Sequence, residues 1–267
     1  MMRVETIPTL GDNYTYLIVD EETGEAAVVD APEADPVVAR VASLGVTVTT
    51  VLTTHHHGDH CGANLPLSRK YQAAVLGHVS DAGRIPGFSK GVEEGDHVTV
   101  GNLEGSVIHV PAHTRGHVAY HFTAGVFCGD TLFAGGCGRL FEGNPAMMYE
   151  ALNVKLSRLP DETPVYCGHE YTESNLTFAL TIEPGNAALQ KRMEWVRARR
   201  AKAASDWHNA KAEEFTIPST IGAEKATNPF MRVDSPEIIA SVRKRHPGTA
   251  TDPVTILGHV RAMKDSF

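Results

Sequence analysis

The stretch TVLTTHHHGDH, residues 50–60, runs from Thr, Val and Leu straight into four histidines and an aspartate. A β-branched, apolar run of this kind reads as a buried strand, so the imidazoles sit at its end. In extended backbone alternate side chains face the same way, which lets His55 and His57 converge while His56 points elsewhere. Asp59 and His60 follow at the turn. Neutral imidazole and carboxylate are ligands for Zn, Fe, Mn or Co, and the end of a buried strand is where open α/β sheets build sites. One short loop cannot wrap four ligands around a single ion. The four therefore divide between two ions, and further ligands must come from elsewhere in the chain.

Three segments offer them in a shared grammar of apolar run, small residue and ligand: His113 in VPAHTRGH, Asp130 in FCGDTLF and His169 in VYCGHEY. Seven donors then make a two-ion site. His55, His57 and His113 hold one ion, Asp59, His60 and His169 hold the other, and Asp130 bridges, because ions in such sites lie about 3.5–4 Å apart. Paired cations ionise water near neutral pH and stabilise a developing oxyanion. His56 and His117 are expected to support or pack against the ligands. His78, His97, His109, His121, His208, His246 and His259 are expected to be ordinary surface or core residues.

Outward from this motif the first 170 or so residues read mainly as strands. Runs at 14–19, 26–29 and 46–52, with a helix over 35–44 that has Asp35 as N-cap and Pro36 in its first turn, predict a β-β-α-β opening. Further strands are expected at 74–76, 107–110, 118–122, 126–128 and 165–167, and a helix over 145–159 capped by Asn144. Beyond residue 170 helix signals repeat, starting at Asn186, at Ser235-Pro236 and at Asp252-Pro253, which predicts a helical C-terminal third. The basic stretch from Lys191 to Lys202 is expected to be a solvated helix face, with Leu189, Met193 and Val196 turned inward.

A 267-residue chain can bury a large core, and 42% hydrophobic with 21% charged residues is ordinary for a globular protein. The formal charge of -8 disfavours nucleic acid and anionic membranes, which are bound through clustered Lys and Arg. No secretory leader and no long apolar run is found, so a cytoplasmic protein is expected. Cys61, Cys128, Cys137 and Cys167 form no C-x-x-C pair and are expected to be buried, reduced thiols.

The block from Thr54 to His60, the H-T-x-G-H of 113–117, GDTLF at 129–133 and YCGHEYT at 166–172 resemble the metallo-β-lactamase superfamily. GCGRLFEG at 136–143, EPGNAAL at 183–189, NPFMRV at 228–233 and the closing VRAMKDSF are similar to glyoxalase II, the hydroxyacylglutathione hydrolases, over nearly the whole chain. The resemblance implies an α/β (α+β) fold: a four-layer αββα sandwich over 1–170 that carries the catalytic site, then a helical substrate-binding domain over 171–267. It implies hydrolysis of S-D-lactoylglutathione to glutathione and D-lactate, a step of methylglyoxal detoxification, through a hydroxide bridging two divalent ions. Zinc stands ahead of iron or manganese, and Asp59 and Asp130 take the catalytic role. It also implies a small glutathione thioester as the partner; the acidic balance leads to neither nucleic acid nor membrane being expected, and a monomer is expected.

Glutathione carries two carboxylates and an ammonium. The resemblance assigns its recognition to Arg139, Phe141, Tyr171, Arg261 and Lys264. Arg139 stands where a lysine is expected, which keeps the charge. Phe141 stands where a tyrosine often sits, which removes a hydrogen bond of about 0.5–1.5 kcal/mol. An alternative reading on the same fold is a glutathione persulfide dioxygenase, whose single iron would use His55, His113 and Asp130.

Overall fold

Two six-stranded sheets face one another in the computed structural model, which describes residues 1–201 and 206–267. The first sheet has the order β1 (Met2–Thr9), β2 (Asn13–Asp20), β3 (Glu25–Val29), β4 (Thr47–Leu52), β5 (Ala74–His78), β6 (Lys90–Val92). Its first three strands are antiparallel and its last four run parallel. The second sheet is built from β7 (His97–Val100), β8 (Leu103–His109), β9 (Val118–Phe122) and β10 (Gly125–Gly129), all antiparallel. A short hairpin of β11 (Leu132–Phe133) and β12 (Gly136–Cys137) follows β10. Then β13 (Pro164–Cys167) joins β10 in parallel and β14 (Ser219–Thr220) closes the edge.

β2 shows why the layers stack. All eight of its residues are buried, and alternation sends them into two different cores. Tyr14, Tyr16 and Ile18 face the second sheet, where Tyr16 meets the rings of Phe127 and Tyr166. Leu17 and Val19 face the other way, packing with Val37, Val41 and Leu67 of the helices α1 (Ala34–Leu44) and α3 (Asn64–Tyr71). Between those two helices lies the single turn α2 (Gly58–Cys61). Each fully buried Val or Leu contributes roughly 1.5–3 kcal/mol, so both faces of this sheet are strongly held.

The helix α1 begins one residue before the expected position. Glu33 takes the N-cap place without a side-chain bond, and Asp35 sits in the first turn. Pro36 is tolerated there because the first four N–H groups of a helix have no intrahelical partner. The helix expected over 145–159 is capped by Asn144 Oδ1, which accepts from Met147 N at 3.0 Å, but it is not uniform. It winds as α4 (Pro145–Tyr149), then a π-helical stretch over 150–155 and a 3₁₀ turn over 156–158.

The last third carries α5 (Thr172–Ile182), α6 (Ala187–Arg200), α7 (Ile221–Thr227), α8 (Pro236–Arg245) and α9 (Pro253–Asp265). It is not purely helical, since β14 returns to pair with β13. Nor is the basic face of α6 wholly solvated. Arg192 is inserted into the protein, 2.6 Å from the buried Glu224, while Lys202 lies outside the described residues. The four cysteines are free and buried. Among the described residues no helix is long and apolar enough to cross a membrane.

Candidate metal centre

All seven proposed donors lie beyond the carboxyl ends of four strands. β4 stops at Leu52, two buried threonines follow, and then His55 and His57. His57 is the N-cap of α2, whose turn carries Asp59 and His60. His113 follows β8, Asp130 follows β10 and His169 follows β13. The small residue before each of the last two has a steric cause. A Cβ on Gly168 would lie 2.6 Å from His60 Cε1, and one on Gly129, whose φ is +46°, would lie 2.9 Å from Thr54 Cβ. Ligands from different strands meet only because these positions carry no side chain.

The donors form two clusters. In one, His55 Nε2 and His113 Nε2 stand 3.0 and 3.1 Å from His57 Nδ1. In the other, His60 Nε2 and His169 Nε2 are 3.3 Å apart, with Asp59 Oδ2 3.6 and 3.4 Å from them. Asp130 reaches both: its oxygens lie 3.3 Å from His60 Nε2, 3.5 Å from His113 Nε2 and 3.5 Å from His169 Nε2. Two nitrogens bound to one tetrahedral ion at about 2.0–2.1 Å stand about 3.3 Å apart. The observed spacings fit that requirement. Asp130 Oδ1 is also buried with no hydrogen-bond partner among the described residues, which suits an oxygen that receives a cation.

Electrostatics separates the clusters. Burial and neighbouring imidazoles hold His55 well below the ordinary histidine range and bring His57 down to about 4. Burial likewise lowers His113 against the pull of Asp130. These three are neutral donors near pH 7. Burial would depress His60 and His169 too, but carboxylates outweigh it. Asp130 and Asp30 raise His60 to about 10, and Asp12, Asp130 and Asp59 raise His169 far above its usual range. The hydrogen bond from His169 holds Asp59 well below the carboxylate range, and His60 and His169 hold Asp130 there despite burial. The two clusters thus differ in surroundings: carboxylates are packed around the imidazoles of the second, whereas burial dominates in the first.

Behind the donors stand residues that the sequence reading did not single out. Asp30, buried and left-handed with φ 50°, accepts from Thr54 N at 2.8 Å and Thr54 Oγ1 at 2.7 Å, and lies 3.0 Å from His60 Nδ1. It groups with His55 and His60 by distance, yet it meets the outer nitrogen of His60 and reaches His55 only through the Thr54 hydroxyl, so it belongs behind the candidate ligands. Asp12 holds His169 Nδ1 at 2.7 Å, and Asn13 Nδ2 donates to the backbone oxygen of Asp59 at 3.0 Å. Asp30 could have been found, since AAVVD repeats the apolar run followed by a carboxylate. His117, expected as support, stacks on His55, and its Nε2 accepts from Asp130 N at 3.1 Å. His56 lies 3.2 Å from Asp81 Oδ2 and touches Arg84.

A cavity of about 620 Å³ opens from His113 and Asp130, and its walls include Arg139, Phe141, Tyr171, Arg261 and Lys264. Phe141 is exposed and sets its ring edge-on to His57 and His113, while Tyr171 stacks flat on His169 at 4.7 Å. Arg261 is buried, donates to the backbone oxygen of Cys137 at 2.7 Å, and pairs with Asp265 at 3.1 Å. Arg139 is mostly exposed and lies 3.7 Å from the same Asp265. Lys264 Nζ sits over the rings of Phe178 and Phe267; burial and the nearby arginines bring it down to about 8. A larger cavity of about 850 Å³ lies against β1, Arg199 and His208 and contains none of these groups.

Fold and site together define a metal-dependent hydrolase of the metallo-beta-lactamase class: the model of that superfamily matches residues 8–169, and the His and Asp clusters can hold divalent metal. The model described as hydroxyacylglutathione hydrolase C-terminus matches residues 170–267. The hydroxyacylglutathione hydrolase of Synechocystis sp. is 46% identical over 274 residues, covering 100% of both chains. That of Rhodospirillum rubrum is 44% identical over 266 residues, covering 99% of this chain and 98% of its own. Among solved structures, ETHE1 from Myxococcus xanthus aligns with a TM-score of 0.65 at 29% identity, covering 100% of this chain and 99% of that one. The BLEG-1 B3 metallo-beta-lactamase aligns at 0.63 and 22% identity over 86% of this chain and 100% of its own, a likeness of fold. The chain belongs to the hydroxyacylglutathione hydrolase family.

Proposed function

We propose that this protein hydrolyses S-D-lactoylglutathione to glutathione and D-lactate, as the names of its full-length relatives and one arrangement support. That arrangement is the pair of donor clusters sharing Asp130 at the floor of a cavity walled by Arg139, Arg261 and Lys264. In this reading His55, His57 and His113 would hold one divalent cation and Asp59, His60 and His169 a second, zinc ahead of iron or manganese, with Asp130 in reach of both groups. Such cations ionise water near neutral pH and offset charge developing on a carbonyl oxygen. Residues 1–170 form the catalytic unit and 171–267 the helical unit that binds substrate.

Asp59 and Asp130 hold and orient the attacking water against the carbonyl carbon. Arg261, Lys264 and Arg139 take the carboxylates of the glutathionyl group, which places the thioester at the His113 and Asp130 end of the cavity. Tyr171 offers a hydroxyl there, and Phe141 offers only an apolar face. The leaving thiol has an ordinary pKa of about 8.5 and departs as its anion without a dedicated acid. We further infer a cytoplasmic monomer acting on a diffusible thioester; the four free, buried thiols suit a reducing compartment.

The test is to supply S-D-lactoylglutathione to purified protein while measuring thiol release and bound metal. Thiol release with two metal equivalents is expected. Two equivalents without thiol release would overturn the substrate assignment, and one iron with oxygen consumption would favour the dioxygenase instead.

A further inference from the structure

We infer that the two metal pockets are unequal and fill in order, the Asp59, His60 and His169 pocket first, because carboxylates hold the outer nitrogens of its imidazoles and, among the described residues, none holds an outer nitrogen of the other three. This rests on the two-cation reading above. His60 Nδ1 is 3.0 Å from Asp30 Oδ2, and His169 Nδ1 is 2.7 Å from Asp12 Oδ1. Each carboxylate fixes the tautomer that turns a lone pair on Nε2 inward, and it makes that nitrogen a stronger donor.

The other pocket is backed by neutral groups. His55 Nδ1 meets Thr54 Oγ1 at 3.1 Å, and that hydroxyl spends its own proton on Asp30. His113 Nδ1 donates to the backbone oxygen of Arg139 at 2.9 Å. His57 presents Nδ1 to the cluster, so its outer nitrogen is Nε2. Among the described residues no carboxylate carries the outer nitrogen of any of these three. Charge adds to the difference. Asp59, Asp12 and Asp30 lie against the imidazoles of the second pocket, whereas among the described residues Asp130 alone comes that close to those of the first, with Asp59 acting on them from further away. A divalent ion is therefore drawn to the second pocket by both stronger donors and more negative charge.

Asp12 is the useful handle, because its side chain is 45% exposed and Asp12→Asn keeps an oxygen facing His169 while removing the charge. Metal-free protein is titrated with Zn²⁺ against a chromophoric chelator, and the bound stoichiometry is measured in parallel. The parent should show two affinity classes. Asp12→Asn should weaken the tighter class by about ten- to a hundredfold and leave the weaker one within about twofold. His57→Ala should remove the weaker class and leave one tight equivalent. The inference is overturned if His57→Ala abolishes the tight class, if Asp12→Asn leaves it unchanged, or if the parent binds two equivalents alike. A parent that retains one equivalent at saturating Zn²⁺ overturns the two-cation reading itself, and the filling order with it.

Discussion

Replacing Gly168 by alanine tests how closely the strand ends must approach. The added Cβ would stand 2.6 Å from His60 Cε1, where carbon atoms prefer about 3.5 Å, so something must move by about 0.9 Å. His60 cannot easily retreat, since its ring is buried and its Nδ1 is held by Asp30 at 3.0 Å. The shift therefore falls on the donor set. A misplacement of about 1 Å costs roughly a hundredfold in rate, equivalent to about 2.7 kcal/mol of activation free energy. Overpacking of this kind costs about 1–3 kcal/mol of stability, within the roughly 5–15 kcal/mol of a typical domain, so the variant stays folded. Gly168→Ala should show kcat/KM for lactoylglutathione reduced about a hundredfold and less tightly bound metal, with an ordinary circular dichroism spectrum. Parent-like rates with a full metal complement would refute the argument.

Lys264, brought down to about 8 by burial and two arginines, is an ammonium below that pH and neutral above it. KM for glutathione thioesters should rise as pH passes through about 8, and Lys264→Met should flatten that rise; a pH-independent KM in the parent removes Lys264 from substrate binding. Glu224→Gln leaves Arg192, whose side chain is 11% exposed, without its charge partner. Breaking such a buried pair costs about 3 kcal/mol or more, read by urea denaturation, and adding Arg192→Met should recover part of the loss; simple additivity of the two would show that they do not interact. Burial pushes the Glu183 carboxyl up, but Arg232, Ser235 and Asn186 hold it below its ordinary value of about 4.5. Its stabilisation is thus present above that pH and lost on acidification through the lower folded value. The Tm difference between parent and Glu183→Gln should shrink below about pH 4, and a constant difference would contradict the linkage.

The meeting of the seven candidate donors was legible because their segments follow apolar runs, and a run of β-branched residues has few other ways to fold. Their backing was not. Asp12 sits in a turn whose sequence resembles any other turn, Asn13 opens β2 directly after it, and backbone pairing with the segment around His169 brings both to the site. β1 escaped notice because Pro8 interrupts its pattern, although at the edge of a sheet a missing N–H is harmless. Arg192 looked like one more solvent-facing cation, since its partner Glu224 lies 32 positions away. The two-residue strand β14 carries too little pattern to be read. Charges that pair across the chain leave no local trace.

That small strand limits how freely the molecule can be recombined. The strand that delivers His169 is flanked on its outer side by Ser219 and Thr220, and the backbone N–H of Gly135, beside the cavity, bonds Glu224 at 2.8 Å. A chimera that swapped the helical half for a relative's would remove one rail from the strand that ends before His169 and an anchor from the β11–β12 hairpin that leads to Arg139. The two halves are therefore not interchangeable modules, and any graft must be judged by whether it rebuilds this seam.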